Sequence, residues 1–296
     1  MNVYPFIEAE QVERRNVTKA CELMEVSRSA FYAWAEHEPT ARQLDDEELG
    51  DRIVEIYNDS RRTYGAPRVH AALARQGYHV GRKRVARIMV QRGLAGRCKR
   101  RWKRTTIADP EAQAAAELVK RVFGPGTVEL DRIYVGDITY VWTWEGWAYL
   151  ATVIDLASRR VVGWALADHM EASLACDALS MAVASRRPAP GFIMHTDRGS
   201  QYTSAEFRQL LEVHHGIQSL SRKGQCWDNA VGESWFSTLK EELIHRQPWA
   251  TIAQVRRAVF EFIEVFYNRQ RLHSSLGYRS PAEYELIHHH AAAEAA

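Results

Sequence analysis

Helical spacing of apolar positions governs the first part of the chain, and runs of β-branched and aromatic residues enter only after residue 130. In VTKACELMEVSRSAFYAWA (17–35) the pattern predicts two short helices. One covers Thr18–Met24; the other is capped by Ser27 and offers Phe31, Tyr32 and Trp34 for packing. This is the outline of a small helix-turn-helix, an outline that many helical hairpins share. LDDEELGDRIVEIY (44–57) reads as an amphipathic helix whose early acids suit its positive end. Pro67 then opens a helix with Val69, Ala72 and Leu73 on one face and Gly77 as its stop. A second helix, Arg82 to Arg92, turns Val85, Ile88 and Met89 inward and stops at Gly93. Ala112–Val122 is a further expected helix, and Gly124-Pro125-Gly126 marks a boundary.

Beyond that boundary RIYVGDITYVWT (132–143), WAYLATVIDL (147–156) and RRVVGWALA (159–167) are expected to form an antiparallel meander. A helix over Glu171–Ser185, a strand FIMHTD (192–197), a helix over Ser204–His214 and a strand GIQSL (216–220) follow. Two more helices close the pattern, one in CWDNAVGESWFSTLKEEL (226–243), capped by Asp228 or Asn229, and one over Thr251–Tyr267. The fold class expected is α/β: a ribonuclease H-like mixed five-stranded sheet with flanking helices, preceded by an all-α helix-turn-helix-type region. Layout alone does not assign a function.

Charge changes the picture. The formal net charge is only +2, yet residues 61–108 carry 15 Lys or Arg and no acid, so the rest of the chain stands at −13. A block of one sign points to a polyanion, although a solvated basic surface is the plainer reading. Arg82, Lys83, Arg84 and Arg87 lie on the outer face of their helix, as a DNA-reading helix requires. Arg97, Lys99, Arg100, Arg101, Lys103 and Arg104, with Trp102 among them, resemble an arm laid along phosphates. No run of about 18 apolar residues exists to span a membrane, and the first residues lack a secretory pattern. The four cysteines (Cys21, Cys98, Cys176, Cys226) are scattered, which argues against a disulfide framework and for a reducing cytoplasm.

Three carboxylates carry candidate chemistry. Asp137 sits mid-strand on the face of Ile133, Val135, Thr139 and Val141, where a carboxylate needs a cation, an arginine or backbone donors. Asp197 ends the fourth strand beside a Gly199-Ser200 turn, where a ligand can reach it, although capping the turn is the commoner role for such an Asp. In the helix after Cys226, Val231, Trp235, Phe236, Leu239 and Leu243 form one apolar face, while Glu233, Ser237 and Lys240 lie outside it. Glu233 and Lys240 are about 10 Å apart along the axis, too far to pair. Either both are solvated, or Glu233 holds a metal while Lys240 holds a nucleic-acid backbone. Three converging acids repel one another unless cations lie between them, and hard oxygen donors suit Mg²⁺ or Mn²⁺.

The order Asp137, Asp197, 35 intervening residues, Glu233, then Lys240 seven further on resembles the D,D(35)E signature of retroviral integrases and of "IS-three" insertion-sequence transposases. YGAPRVH, GDITYVWTWEGWAYLATVIDLASRRVVGWA, HTDRGSQYTS, WDNAVGESWFSTLKEEL and YNRQRLHSSLGYRSPAEYE are closest to the second-reading-frame (OrfB) protein of the transposases, from about residue 17 to 285. The resemblance implies a catalytic, metal-binding triad of Asp137, Asp197 and Glu233, a pair of Mg²⁺ or Mn²⁺ ions, and Lys240 contacting DNA ends. Asp155 matches a frequent family position read as structural, and His195 and Tyr202 are left outside the site. Gly232 stands where Ala is expected and Trp227 where Tyr is usual. No heptad run and no His-His-Cys-Cys zinc module is present.

The implied organisation is an N-terminal helical region (1–60), a basic DNA-binding region (61–108), a linker (109–127), an integrase catalytic core (128–285) and a tail (286–296). Expected partners are DNA, as terminal inverted repeats and target, a first-frame protein or a frameshift fusion with it, and further copies of the chain on DNA. No membrane is expected, and the location is the bacterial cytoplasm at the nucleoid. The function implied is metal-dependent strand cleavage and strand transfer at insertion-sequence ends. The rival readings are a DNA-binding regulator or inhibitor without catalysis of its own and a ribonuclease H-type nuclease.

Overall fold

A computed structural model describes residues 3–36, 38, 40–97, 128–221 and 230–294. Two compact units divide the chain, Met1–Glu55 and Ile56–Ala296. The first contains α1 (Tyr4–Val12), α2 (Val17–Leu23), α3 (Arg28–Ala35) and most of α4 (Ala41–Asp59). The side chain of Asn16 accepts from Lys19 N–H at 3.2 Å and Ser27 Oγ from Ala30 N–H at 3.1 Å, so both short helices begin on side-chain caps. Ile7, Ala20, Cys21 and Phe31 form the core, and Tyr4 stacks on Trp34 at 5.4 Å. Residues 1–16 carried no signal in the sequence reading, yet α1 supplies Ile7, which is fully buried.

The second unit begins with α5 (Ala66–Arg75) and α6 (Arg82–Gln91), whose buried Val69, Leu73, Val85, Ile88 and Met89 are the residues the helical pattern turned inward. The expected helix over 112–122 lies outside the described residues. The sheet follows as β1 (Ile133–Thr143), β2 (Gly146–Asp155), β3 (Val161–Ala167), α7 (Ala172–Arg186), β4 (Ile193–Thr196), α8 (Ala205–Val213) and β5 (Ile217–Leu220). Then come α9 (Ala230–Glu242), α10 (Ile252–Phe260), which continues as a π-helical stretch Glu261–Tyr267, and α11 (Pro281–Glu294). The proposed cap of α9, Asp228 or Asn229, is not among the described residues. The segment read as a frayed tail is helical to Glu294. Among the described residues no helix is long and apolar enough to cross a membrane.

Strand order is β3-β2-β1-β4-β5, with β1, β2 and β3 antiparallel and β4 and β5 parallel to β1. This is the mixed five-stranded sheet expected from the sequence. Short turns can join only the meander; the parallel strands need helical crossovers, which α7 and α8 provide. Tyr134, Val153, Val162, Leu179, Phe192 and Phe207 anchor the core beneath those two helices. Gly163 lets α7 approach β3: a Cβ there would lie 2.1 Å from the Ala178 carbonyl oxygen and 2.7 Å from the Ala182 nitrogen. On α9 and the π-helical stretch, Trp235, Phe262 and Tyr267 pack ring to ring, with Trp235 and Tyr267 at 4.4 Å. Asn268 closes this region onto β3, its side chain accepting from Val161 N–H at 3.0 Å and donating to Val161 O at 2.9 Å.

Asp155 is structural, as read. Its carboxylate accepts from Asp131 N–H at 3.1 Å and from Ser158 N–H at 2.7 Å, and it is fully buried. Ser158 Oγ also lies 2.7 Å from Asp155 and 2.9 Å from Glu285, although a hydroxyl has one proton to donate. Burial pushes the Asp155 carboxyl up to about 6. A proton retained there serves the Asp155 contact and frees the Ser158 hydrogen for Glu285. Arg186 neutralises the network, bonding Asp131 at 2.7 and 2.9 Å and Glu285 at 3.0 Å, with Arg160 on Glu285 at 2.5 Å.

Two outcomes are expected. Gly163→Val forces α7 off the sheet and lowers the unfolding free energy by about 1–3 kcal/mol, read from urea midpoints. Asp155 has a higher pKa folded than unfolded, so its contribution is present below about pH 4 and lost as pH rises through about 6. The difference in stability between wild type and Asp155→Asn should therefore change across that window and level off above it, as urea titrations at successive pH values would show.

Candidate active site

β1 and β4 pair in parallel with Tyr134 opposite Met194 and Val135 opposite His195. Continuing that register by two residues would put Asp137 level with Asp197, just beyond the end of the paired stretch. The pairing ends at the tip of β4, which leaves Asp197 exposed while Asp137 stays half-buried mid-strand. Asp137 Oδ1 accepts from Ile138 N–H at 2.8 Å, and Asp197 Oδ1 from Gly199 N–H at 2.9 Å, holding the turn that follows.

Tyr202 was left out of the site in the sequence reading, and the structure puts it under both acids. Its ring lies over Gly136, where a Cβ would come 3.4 Å from the ring and 2.3 Å from Met194. Burial pushes the phenol well above its ordinary range, and the charges of Asp137 and Asp197 push it further. One hydroxyl thus feels both carboxylates. The sequence offered only its position five residues after Asp197, and a tyrosine in a turn carries no mark of a charged neighbour. His195 pairs through Nδ1 with Ser219 Oγ at 2.9 Å, a link between β4 and β5 consistent with a packing role.

Helix α9 packs on β1. Trp235, Phe236 and Leu239 are buried, Ser237 and Lys240 are half-buried and Glu233 is exposed, matching the two faces expected. Lys240 Nζ stands 5.6 Å from the centre of the Tyr140 ring. After α9 the chain returns so that Trp144 N–H donates to Trp249 O at 3.1 Å. The segment that follows α9 therefore meets the end of β1. Among the described residues no three His, Cys, Asp or Glu side chains already form a metal cage. Asp137 and Asp197 are brought together, and Glu233 does not complete a three-acid group with them.

The basic block is less uniform in space than in sequence. Arg82, Lys83 and Arg87 on α6 are exposed and Arg84 is half-buried. Arg61, Arg68 and Arg75 instead turn onto the sheet unit. Arg61 pairs with Glu261 and Arg75 with Glu283, while Arg68 donates to Leu272 O at 3.0 Å and stands 3.7 Å from Glu242. Part of the block thus answers acids of this chain rather than a polyanion. Behind Arg68, Arg271 and Glu242 form a buried pair at 2.6 Å. Arg97 is the only residue of the proposed arm that is described, and it is exposed. Lys99, Arg100, Arg101, Lys103 and Arg104 lie outside the described residues.

The integrase core domain family matches residues 129–226, and a second integrase core family matches 215–281. An HTH-like domain matches 43–102. Transposase InsF for insertion sequence IS3A of Escherichia coli (strain K12) is 38% identical over 287 residues, which cover 95% of this chain and 98% of that protein. This chain belongs to the IS3 family of insertion-sequence transposases. The insertion element IS600 uncharacterized 31 kDa protein of Shigella sonnei is 39% identical over 92% of this chain and the whole of its own length. Among solved structures, the HTLV-2 integrase catalytic core domain in complex with magnesium matches at 14% identity and a TM-score of 0.41, over 52% of this chain and 95% of that one. As a transposase the chain is a polynucleotidyl transferase that serves transposition by DNA cleavage and strand transfer, with DNA as its partner and a core of the divalent-metal-dependent integrase type.

Replacing Arg271 with Met removes the close partner of the buried Glu242 carboxylate and leaves it only Arg68, 3.7 Å away. The transposase should lose about 3–5 kcal/mol of stability in urea unfolding, whereas Arg82→Ala on the exposed face of α6 should change stability by less than about 0.5 kcal/mol.

Proposed function

We propose that Asp137, Asp197 and Glu233 form the DDE centre of this transposase, holding a pair of divalent cations, Mg²⁺ or Mn²⁺, to cut and join DNA at insertion-sequence ends. The observation that carries the reading is that Asp137 lies on β1 and Asp197 at the tip of the neighbouring parallel strand β4, with both charges raising the pKa of the buried Tyr202 between them and the core. Two carboxylates supply hard oxygen donors, which fit Mg²⁺ or Mn²⁺. Tyr202 is held neutral and adds no charge of its own. The run of α9 supports Glu233 as the third donor. Lys240 stands at Tyr140; Glu233 is about 10 Å back along the helix, and Asp137 is about 10 Å back along β1. Helix α9 packs on β1, so Glu233 lies on the element that lines the strand of Asp137.

When bound, the cations activate water or a 3′-hydroxyl and stabilise the leaving oxygen. Water first breaks a P–O bond at the element end, leaving a free 3′-hydroxyl. That hydroxyl then attacks a second phosphodiester in line and expels another 3′-oxygen, and no bond to the protein forms. Lys240, at the far end of the same helix, contacts the backbone of the held DNA. Arg82, Lys83, Arg84 and Arg87 contact duplex DNA through α6, and Arg97 to Arg104 extend along phosphates. Terminal inverted repeats and target DNA are the substrates. Copies of the chain assemble on paired ends, joined by a first-frame protein or its fusion.

Purified chain should join labelled element ends only with Mg²⁺ or Mn²⁺. Asp137→Asn, Asp197→Asn and Glu233→Gln should each lower joining by at least about 1,000-fold, a loss of about 4 kcal/mol of transition-state stabilisation, while gel-shift binding of the ends persists. Undiminished joining by Asp197→Asn overturns the metal centre.

A further inference from the structure

The β1–β2 hairpin carries an aromatic surface on which the function above does not draw. Trp142 and Trp147 are directly opposed across the two strands, and Tyr140 is one step back on the same face. Tyr140 and Trp142 are each 56% exposed and Trp147 44%, although large aromatic side chains are ordinarily well covered. The rings form one continuous set: Tyr140 meets Trp147 edge-on at 5.0 Å, and Trp142 meets Trp147 at 4.9 Å. Mutual edge-to-face contacts fix their orientation while leaving ring faces open. At the inner end of the set stands Lys240, whose ammonium is 5.6 Å from the Tyr140 ring. An ordered row of rings with a cation at one end matches a nucleic-acid strand, which presents a phosphate for the ammonium and flat bases for the rings. A purely apolar partner would leave that ammonium without a counter-charge.

We infer that Tyr140, Trp142 and Trp147 are a stacking platform for unpaired bases of single-stranded DNA beside the cut. Tyr140 and Trp142 lie about 10 Å and 17 Å beyond Asp137 along β1, on the strand face opposite to that carboxylate. The platform takes bases unpaired near the scissile phosphate once the duplex end has opened. The inference rests on the proposed centre only for this distance; stacking itself needs no metal.

The test measures binding of the full chain, without divalent metal, to two probes by fluorescence anisotropy. One probe is a blunt, fully paired element end, and the other is the same end with five unpaired bases. The wild-type chain should prefer the frayed probe. Trp142→Ala with Trp147→Ala should erase that preference by about 5- to 150-fold per stacked base, and Trp142→Phe should keep most of it. Sedimentation of the same variants gives the oligomeric state. Equal losses on both probes, or unchanged preference with a change in oligomeric state, would overturn the platform; the second result would make the surface a contact between chains. Metal-dependent joining by Asp137→Asn, measured separately, reports on the acidic centre. The platform can therefore fail while the centre stands, and the centre can fail while the platform stands.

Discussion

The parallel pairing of β4 with β1 is the contact on which the site depends. The two acids belong to segments 60 residues apart in sequence, and the pairing of the residues just before them brings those segments alongside each other. A shift of one residue in that register would turn one carboxylate to the opposite face of the sheet. Large buried residues enforce the register: Tyr134 and Met194 are paired and fully buried, and Gly136 admits Met194 and Tyr202 where any Cβ would collide. The ladder stops where β4 ends, and there Asp197 leaves the sheet while β1 runs on. A ligand can reach the acids because the pairing ends at that point.

Electrostatics divides the molecule by distance from this point. Away from it, among the described residues, buried charges are paired: Arg186 with Asp131 and Glu285, Arg271 with Glu242, and Ser158 between two carboxyls. Such pairs give little net stability because desolvation offsets attraction, but they oppose any arrangement that separates them. They hold the π-helical stretch and α11 against the sheet, and they tie α5 to the same unit through Arg68 and Arg75. At the acidic pair Asp137 and Asp197 are of one sign, and both charges raise the pKa of the buried Tyr202 phenol.

In the proposed centre, helix α9 connects the acids with DNA. Its apolar face of Trp235, Phe236 and Leu239 is buried, which fixes the rotation of the helix and aims Glu233 and Lys240 along one outer line. Lys240 then meets Tyr140, the first ring of the hairpin's aromatic row. Ammonium and rings lie together beyond Asp137 along β1, the rings on the strand face opposite to that acid.

Much of this was legible in the chain. Strand alternation identified all five strands, and 3.6-residue periodicity gave the faces of α5, α6 and α9, because burial of one face follows from local geometry alone. The spacing of Asp137, Asp197, Glu233 and Lys240 named the candidate site, since it is a pattern along the sequence. Position in the chain could not tell that α1 buries Ile7, that α11 continues through the histidine run, or that Arg61, Arg68 and Arg75 face acids of the same chain. Those outcomes depend on which surfaces meet, and meeting surfaces are chosen by shape and charge over long sequence separations. The same holds for Tyr202 and for the exposed rings of Tyr140, Trp142 and Trp147. The sequence by itself determined the elements, their buried faces and the identity of the acids; tertiary structure decided their neighbours, because register and packing alone convert distance along the chain into distance in space.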